Sequence, residues 1–204
     1  MNRRKILGLF AVLWLASGIY IVPADQQAVE TRLGRVVAPR VLPGIHLSMP
    51  WPIDRVYKLK VRQLQRLVVG GEAADGVLGR AQPVTSQFLT GDQNILHLRI
   101  AVQYWVGVPA DYLFRAADVS RTVGAAVESA LAGRISSRTV DAVLTTEKAA
   151  IQEEVRAAAQ KTLNDYRAGV ILSTVNLETV APPPEAADAF RDVASARAAS
   201  LRIV

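Results

Sequence analysis

The residues that could carry chemistry in this chain are few and far apart. The two histidines, His46 and His97, fall in different strand-like segments, and neither has a second ligand at the spacing of a metal site. Residues 71–76 resemble a glycine-rich phosphate loop, but Val77 and Leu78 stand where the lysine and the hydroxyl residue would bind phosphate and metal. No serine lies in a nucleophile-elbow pattern, and the chain has no cysteine. These patterns argue against an enzyme and predict no metal and no cofactor.

The overall charge does not predict a nucleic-acid partner either. The formal net charge is +6, but no run of about five or more cations marks a nucleic-acid-binding tail. A basic protein beside an anionic membrane surface is a simpler explanation of this charge. Half of the residues are hydrophobic and 21% are charged, as in a folded globular domain rather than a disordered chain.

The N-terminal segment is predicted to be a membrane anchor. Residues 6–22 carry no charge, and about 17 residues is the lower limit for crossing a bilayer core. Three cations at residues 3–5 precede this run, whereas Asp25 and Glu30 follow it. This asymmetry predicts a cytoplasmic N-terminus, with the rest of the chain on the other side of the membrane.

A cleaved secretory signal is the alternative to an anchor, because residues 16–18 are small, as they are before a cleavage site. The apolar run continues beyond them through residues 19–22, and Tyr20 stands where an interfacial aromatic residue is expected, so the anchor is favoured. The residues of this segment that we expect to contact lipid are Leu9, Phe10, Leu13, Trp14 and Tyr20.

Beyond the anchor, the hydrophobic periodicity predicts an α+β fold that begins with strands. Every even-numbered residue of 96–108 is apolar, which is typical of a long strand with one face on a core. Residues 82–90 are its expected hairpin partner, joined to it by a turn at 91–94. Residues 57–61 alternate in the same way, and residues 70–83, which are rich in glycine, are expected to form a surface loop.

From residue 109 the periodicity becomes helical. Helices are predicted over residues 111–117, 120–135, 140–144 and 147–166, then a strand over 170–180, and a further helix from residue 185. For the helix at 147–166, the expected N-cap is Thr145 or Thr146 and the expected apolar stripe is Ile151, Val155, Ala158, Thr162 and Tyr166. The last helix reaches residue 204 without a capping pattern, which predicts that it continues in a longer protein.

The proline-rich segment at residues 42–53 is the most unusual part of the chain. It places Met49, Trp51 and Ile53 among prolines, in what we expect to be a loop. Apolar residues at an exposed loop tip usually contact a core, a partner or a membrane. From the residues alone, core packing of Trp51 and insertion into a membrane both remain open.

Three cations, Lys58, Lys60 and Arg62, are expected to form a row on one face of the strand that contains Tyr57. Such a row is either an ordinary solvated face or a contact with anionic lipid headgroups.

The order of these motifs resembles the SPFH (band 7) family of stomatins, prohibitins and flotillins. In chain order, the matching motifs are the anchor, TRLGR at 31–35, Pro43-Gly44 with the Pro-aromatic loop, and IDRV at 53–56. The segments LTGDQN at 89–94, VQYWV at 102–106 and PADYLF at 109–114 look most like the HflK branch, as do the later motifs at 134–135, 144–145, 169–170, 182–185 and 189–190. The resemblance covers nearly the whole chain.

The resemblance implies a membrane anchor at residues 1–23 and two α+β SPFH subdomains at 24–107 and 108–182. It also implies that residues 183–204 are the start of a long coiled-coil helix. In the family, the loop that matches residues 49–53 lies against the membrane, which favours Trp51 as an interfacial anchor. Two departures are visible: the chain begins at the anchor, without the glycine-rich stretch common in HflK proteins, and the long helical region that closes the cage is missing after residue 204. We therefore expect a fragment, or a short member that does not close a cage.

The function implied is that of a non-enzymatic scaffold in the bacterial inner membrane, with its SPFH domain in the periplasm. Such proteins assemble into rings or cages; HflK, alternating with an HflC partner, encloses the AAA protease FtsH and limits which membrane proteins reach it. The alternative is a stomatin-like or prohibitin-like organiser of membrane microdomains with no protease partner. A third hypothesis is a secreted hydrolase or binding domain released by signal cleavage.

Overall fold

The computed structural model describes residue 14 and residues 17–74, 81–84, 87–143 and 147–181. The chain divides into two units, each built from separate stretches of sequence. Unit 1 consists of residues 1–65, 104–119 and 163–171, and unit 2 of residues 66–103, 120–162 and 172–204. The predicted boundaries of the anchor, the two subdomains and the terminal helix stay predictions.

In the described part of the chain, a run of strands is followed by a run of helices and one last strand, an order typical of an α+β fold. The described strands are β1 (Ile19–Val22), β2 (Gln27–Arg32), β3 (Arg35–Val41), β4 (Gly44–Leu47), β5 (Asp54–Leu59), β6 (Gln65–Val69), β7 (Gly71–Ala74), β8 (Ala81–Val84), β9 (Gln87–Leu89), β10 (Ile95–Val106) and β11 (Val170–Ala181). The described helices are α1 (Pro109–Phe114), α2 (Val119–Ile135) and α3 (Lys148–Asp165).

Unit 1 is built around an antiparallel sheet with the strand order β3-β2-β5. On one face of this sheet, an antiparallel ribbon formed by β1 and β4 completes a small core. The buried residues of this core are Val22, Ala28 and Val41, with Tyr20, Ala38 and Val56 packed against them. On the opposite face lies α1, where the rings of Tyr57 and Phe114 meet edge to face with their centroids 5.4 Å apart. The sheet thus separates the ribbon from the helix.

Unit 2 is a four-stranded sheet with α2 and α3 packed on it. The sheet has the order β11-β10-β6, and β9 pairs with β10. Helix α2 lies close to β6. A Cβ atom added to Gly124 of α2 would be 3.6 Å from the Leu67 side chain of β6. Helix α3 lies beside β11, where the Gln160 side chain accepts a hydrogen bond of 2.7 Å from the Leu172 N–H. Helices on one face of a sheet bury the apolar positions of both.

The period-two pattern of the long strand is confirmed over residues 96–106. Its even-numbered residues are all 4% exposed or less, whereas Val108 lies beyond the strand and is 47% exposed. The helices predicted at 120–135 and 147–166 and the strand predicted at 170–180 correspond to α2, α3 and β11. Residues 140–143 form a single helical turn.

The apolar stripe predicted for α3 is wrong by part of a turn. The fully buried residues are Ile151, Val155, Ala159 and Leu163, while Tyr166 lies beyond the helix and is 66% exposed. Three consecutive alanines occupy residues 157–159, so composition alone did not decide which alanine faces the core. In the structure, the buried residues recur at every fourth position from Ile151 to Leu163, and this spacing places Ala159 on the core face.

The strand and the loop predicted around residues 70–90 are also corrected. Residues 70–83 are not one loop, because β7 and β8 pair there as an antiparallel hairpin. The segment 82–90 is not one strand either, since β8 pairs with β7 whereas β9 pairs with β10. A hairpin is held by backbone hydrogen bonds, which glycine-rich segments make as other residues do, so a side-chain pattern does not reveal it.

The end of the predicted anchor differs from expectation, because residues 19–22 are strand β1 and not the last turn of a helix. Three of these four residues are β-branched, which favours an extended conformation once a partner strand is present. None of the helices in the described part of the chain has both the length and the apolar composition that a membrane span requires. Leu9, Phe10 and Leu13, the N-cap candidates Thr145 and Thr146, and the helix predicted from residue 185 lie outside the described residues.

Candidate membrane-facing site

The ribbon of β1 and β4 has two unlike faces. Ile19 is paired with Leu47, and Ile21 with Ile45, so these four side chains share one face. They are 56%, 78%, 60% and 74% exposed, respectively. Four large aliphatic side chains side by side in water are unfavourable, which marks the outer face of the ribbon as a contact surface.

The inner face of the ribbon belongs to the protein core. Tyr20 is paired with His46, and their rings stack at an angle with centroids 5.6 Å apart. Tyr20 also packs against the buried cluster that contains Val22. The structure therefore orients Tyr20, which we expected to contact lipid, towards the sheet, while its neighbours Ile19 and Ile21 point outward.

The loop that follows the ribbon, residues 48–53, is here called the Pro-Trp loop. The Ser48 N–H donates a hydrogen bond of 2.9 Å to the Gly18 carbonyl, which fixes the start of the loop to the start of β1. Met49 is 47% exposed and Trp51 is 68% exposed, whereas Ile53 is half-buried. We use the term apolar surface for the outer face of the ribbon together with Met49 and Trp51.

Two further apolar residues are tied to the Pro-Trp loop. The indole N–H of Trp14 donates a hydrogen bond of 2.9 Å to the Trp51 carbonyl, and Trp14 is 44% exposed. The N–H of Leu33, at the tip of the β2–β3 turn, donates one of 2.9 Å to the Ile53 carbonyl. Leu33 is 80% exposed, so a second apolar tip lies beside the loop.

The buried carboxylate of Asp54 holds the Pro-Trp loop in place through a hydrogen bond to its backbone. The side chain of Asp54 is fully buried and accepts hydrogen bonds from Arg32 Nε at 2.8 Å, from Arg32 Nη2 at 2.9 Å and from the Met49 N–H at 2.8 Å. The bidentate guanidinium holds the pKa of Asp54 well below its usual range. Asp54 is therefore ionised and holds the backbone of Met49 in place.

The cations that we expected to contact headgroups are exposed but do not form a row on one strand. Lys58 lies in β5, which ends at Leu59, whereas Lys60 and Arg62 lie in the chain that follows. The strand ends earlier than the pattern suggested, although Leu59 and Val61 remain less exposed than the three cations. The role of these cations at a lipid surface stays a prediction.

The histidines are separate, as their positions in the sequence indicated. The Nε2 atom of His46 lies 2.8 Å from the Leu42 carbonyl, while the buried Nε2 atom of His97 has no hydrogen-bond partner among the described residues. Within the described ranges, no three His, Cys, Asp or Glu side chains come together as a group that could hold a metal ion.

Sequence reasoning found Met49 and Trp51 but missed the larger part of the apolar surface. Ile19 and Ile21 were assigned to the end of the anchor because they continue its apolar run. Ile45 and Leu47 alternate with His46, and this short period-two pattern was the one signal that could have revealed an amphipathic strand in the proline-rich segment.

The described residues form an α+β fold, with an exposed apolar surface on the unit that contains the predicted anchor. A match to the SPFH domain / Band 7 family covers residues 20–202, so the chain belongs to this family. The α+β fold and the resemblance stated from the motifs are thereby confirmed.

Several relatives of this chain are HflK proteins from different bacteria. The "Modulator of FtsH protease HflK" of Escherichia coli K12 is 31% identical over 186 residues, which are 91% of this chain and 40% of that protein. "Protein HflK" of Buchnera aphidicola subsp. Schizaphis graminum is 31% identical over 185 residues, 91% of this chain and 41% of that protein. "Protein HflK" of Treponema pallidum is 29% identical over 197 residues, 92% of this chain and 58% of that protein. The chain thus spans less than two thirds of the length of these relatives.

Proposed function

We propose that this chain is the membrane-proximal part of a scaffold that modulates a membrane AAA protease of the FtsH type. The apolar surface is the observation that carries this proposal, because it lies on the unit that the predicted anchor enters. The name of the Escherichia coli relative, a modulator of FtsH protease, supports the protease as partner. The scaffold has no hydrolytic activity of its own and acts by assembly, with copies of itself or with an HflC-like protein.

The apolar surface rests on the bilayer in this proposal. Strand β1 begins at Ile19, directly after the turn at residues 17–18, so an anchor ending there delivers the ribbon to the level of the headgroups. Burying one exposed aliphatic side chain in an apolar environment contributes about 1.5–3 kcal/mol. The ribbon offers four such side chains, and Trp51 and Trp14 supply the amphipathic rings that favour the interface.

The proposed topology has the N-terminus in the cytoplasm of a bacterial cell and both units on the periplasmic side of the inner membrane. The three cations at residues 3–5 support this orientation through the positive-inside rule. Lys58, Lys60 and Arg62 lie in unit 1 and are exposed, so they are available to anionic headgroups.

The proposed function is tested by purifying the native-length tagged protein in mild detergent, followed by sizing and mass spectrometry. A very large assembly that contains an FtsH-like protease is expected. A large assembly without the protease would support a stomatin-like or prohibitin-like organiser instead, and a small soluble species would refute the membrane scaffold. A single-pass membrane protein with the same tag is the control for non-specific recovery.

Replacing Leu47 by aspartate tests the apolar surface itself. The substitution removes one outward aliphatic side chain and adds a charge, so we expect it to disfavour lipid contact by about 2 kcal/mol, or roughly thirtyfold in the contact equilibrium. The chain has no cysteine, so Met49→Cys gives one unique site for an environment-sensitive fluorophore on the Pro-Trp loop. Quenching of this fluorophore by spin-labelled lipid in reconstituted vesicles measures the contact.

The matched control for that experiment is Leu89→Asp, because Leu89 is an exposed leucine in a strand of unit 2. It should leave the quenching unchanged. Equal quenching in the Leu47 and Leu89 variants, with both folded by circular dichroism, would contradict the membrane role of the ribbon.

A further inference from the structure

The turn between β2 and β3 places a leucine where a small polar residue is usual. Leu33 and Gly34 form the turn, with φ angles of +48° and +83°. They connect Arg32 to Arg35, which are paired directly across the two strands. Two positive φ angles in a two-residue hairpin are typical of a type I′ turn, whose first position is normally asparagine, aspartate or glycine. A leucine in this conformation is strained, because its Cβ atom crowds the backbone.

The folded chain buries little of the Leu33 side chain. It is 80% exposed, the highest value among the exposed large hydrophobic residues of the described chain. An asparagine at this position would relieve the backbone strain and would place a polar group in the water instead. A strained residue that does not serve packing indicates a function at its position.

Two arginines lie close to this turn, one on each face of the sheet. Arg35 directly follows the turn and shares a face with its partner Arg32. Arg55 on β5 is paired with Thr31, one residue before Arg32, and therefore lies on the opposite face. Both arginines are exposed, and neither forms an ion pair with another described residue.

The two carboxylates of this sheet do not neutralise these arginines. Asp54 is fully buried and accepts two hydrogen bonds from Arg32. The Glu30 side chain is only 13% exposed and lies 3.9 Å from the same guanidinium. Since both carboxylates are directed to Arg32, the surface of the turn that water reaches is apolar at its tip and positive on both sides.

We propose that the β2–β3 turn binds anionic phospholipid headgroups, with Leu33 at the edge of the acyl chains and with Arg35 and Arg55 on the phosphates. An apolar tip between cations matches the boundary of a bilayer, where phosphate groups lie next to hydrocarbon. Arginine suits this contact because its planar guanidinium binds phosphate with two parallel hydrogen bonds. The inference rests on the proposed function and deepens it, since it names the lipid class that unit 1 selects.

The position of the turn supports a lipid as the occupant. The Leu33 N–H donates a hydrogen bond of 2.9 Å to the Ile53 carbonyl, so the turn is fixed to the Pro-Trp loop, which carries the exposed Trp51. Lys58 lies three residues further along β5 than Arg55, about 10 Å away. This distance exceeds the Debye length of about 8 Å, over which the attraction of an anionic surface decays, so the arginines at the turn contribute more.

The site is tested with the full-length Met49→Cys protein and its fluorophore, in vesicles of phosphatidylcholine and phosphatidylglycerol. A trace of spin-labelled phosphatidylglycerol or of spin-labelled phosphatidylcholine is added, and the ratio of the two quenching efficiencies measures the enrichment of anionic lipid. One cation close to an anionic surface favours the contact about fivefold, so we expect an enrichment of about fivefold or more. Arg35→Gln together with Arg55→Gln should reduce it to less than about twofold, with the fold unchanged by circular dichroism.

The matched control removes the same charge from unit 1 at a distance from the turn. Arg40, near the end of β3, and Arg167, after α3, are both exposed arginines of unit 1. Arg40→Gln together with Arg167→Gln should keep the enrichment. An equal loss of enrichment in the control would overturn the site, because the charge of the whole unit would then attract the lipid.

Leu33→Asn tests the apolar tip through two measurements that should change in opposite directions. Asparagine favours the positive φ of this turn, so the midpoint of urea unfolding should rise. The total quenching by both lipids should fall about twofold, because one apolar contact is lost. Lower stability with unchanged quenching would show a structural role for Leu33 and would overturn its contact with lipid.

The outcomes of the quenching experiment separate this site from the proposed function. Strong and equal quenching by both lipids would overturn the headgroup site and leave the membrane contact intact. Quenching by neither lipid would overturn the membrane contact, and the site with it. Loss of the enrichment when soluble glycerol phosphate is added would show that the arginines bind a free phosphate, which would also overturn a lipid site.

Discussion

Gly169→Ala is expected to lower the free energy of unfolding of unit 1 by about 3–5 kcal/mol. Gly169 follows α3 with a φ of +71°, which a residue with a Cβ atom adopts only under strain. An added Cβ atom would be 2.4 Å from the Tyr112 nitrogen and 2.5 Å from the Val108 oxygen, both of which are backbone atoms. The Gly169 carbonyl also accepts hydrogen bonds from the N–H groups of Gly107 and Val108, so the chain cannot move aside without losing them.

Urea unfolding followed by circular dichroism measures this effect, and Gly133→Ala is the matched control. Gly133 is exposed on α2, and a Cβ atom added there would meet no other atom within 4 Å. Alanine is the better helix former, so this control should gain about 0.5–1 kcal/mol in stability. Similar changes in the free energy of unfolding for the two substitutions would contradict the prediction that the close backbone contacts at Gly169 require a glycine.

Gly169 lies shortly beyond the end of α3, but its local sequence does not show why the residue must be glycine. A glycine just after a helical pattern is a common C-terminal signal, and that local signal was available. The close approach of α1 is tertiary, since Tyr112 and Val108 are far from Gly169 in the chain. The pattern of a single segment can predict the turn after the helix, but it cannot reveal the close approach of a segment that is distant in the sequence.

The long strand and the helices were predictable because their periodicity reports burial directly. In β10, the residues from Leu96 to Val106 at even positions all face the core, so the pattern of period two could not be confused with a helix. The ribbon was not predictable in the same way. Strand β1 has only four residues, and its partner β4 lies more than twenty residues later in the chain. From the sequence alone, the apolar residues of β1 therefore resemble the end of a membrane span.

The ion pair of Arg32 and Asp54 was hidden for a related reason. Arg32 and Asp54 were both noticed, but as parts of two separate motifs, and neither motif indicates the other. They meet because Arg32 on β2 is paired with Asp54 on β5, a register that depends on the whole sheet. Side chains that act together across strands are visible only after the pairing is known.

Arg32→Met is expected to lower the free energy of unfolding by about 2–4 kcal/mol near neutral pH. Asp54 is fully buried, so losing its cation leaves an ionised carboxylate with only neutral partners, and breaking such a pair costs about 3–5 kcal/mol when both members are buried. The Arg32 side chain is 40% exposed, which reduces this value because water screens part of the interaction. Arg35→Met removes an exposed arginine from the adjoining strand and should change the stability by less than about 0.5 kcal/mol.

The pH dependence separates this effect from a simple loss of packing. In the wild type, Arg32 lowers the pKa of Asp54, so the stabilisation is present above the unfolded-state pKa and is lost as the pH falls through the folded-state value. In Arg32→Met the carboxyl group takes up a proton at higher pH, and the difference in stability between the two proteins should therefore shrink in acid. A difference that is constant with pH would indicate lost packing of the arginine stem instead. If the charge is what matters, Asp54→Asn should cost less in the Arg32→Met background than in the wild type, because the buried charge is then already unpaired.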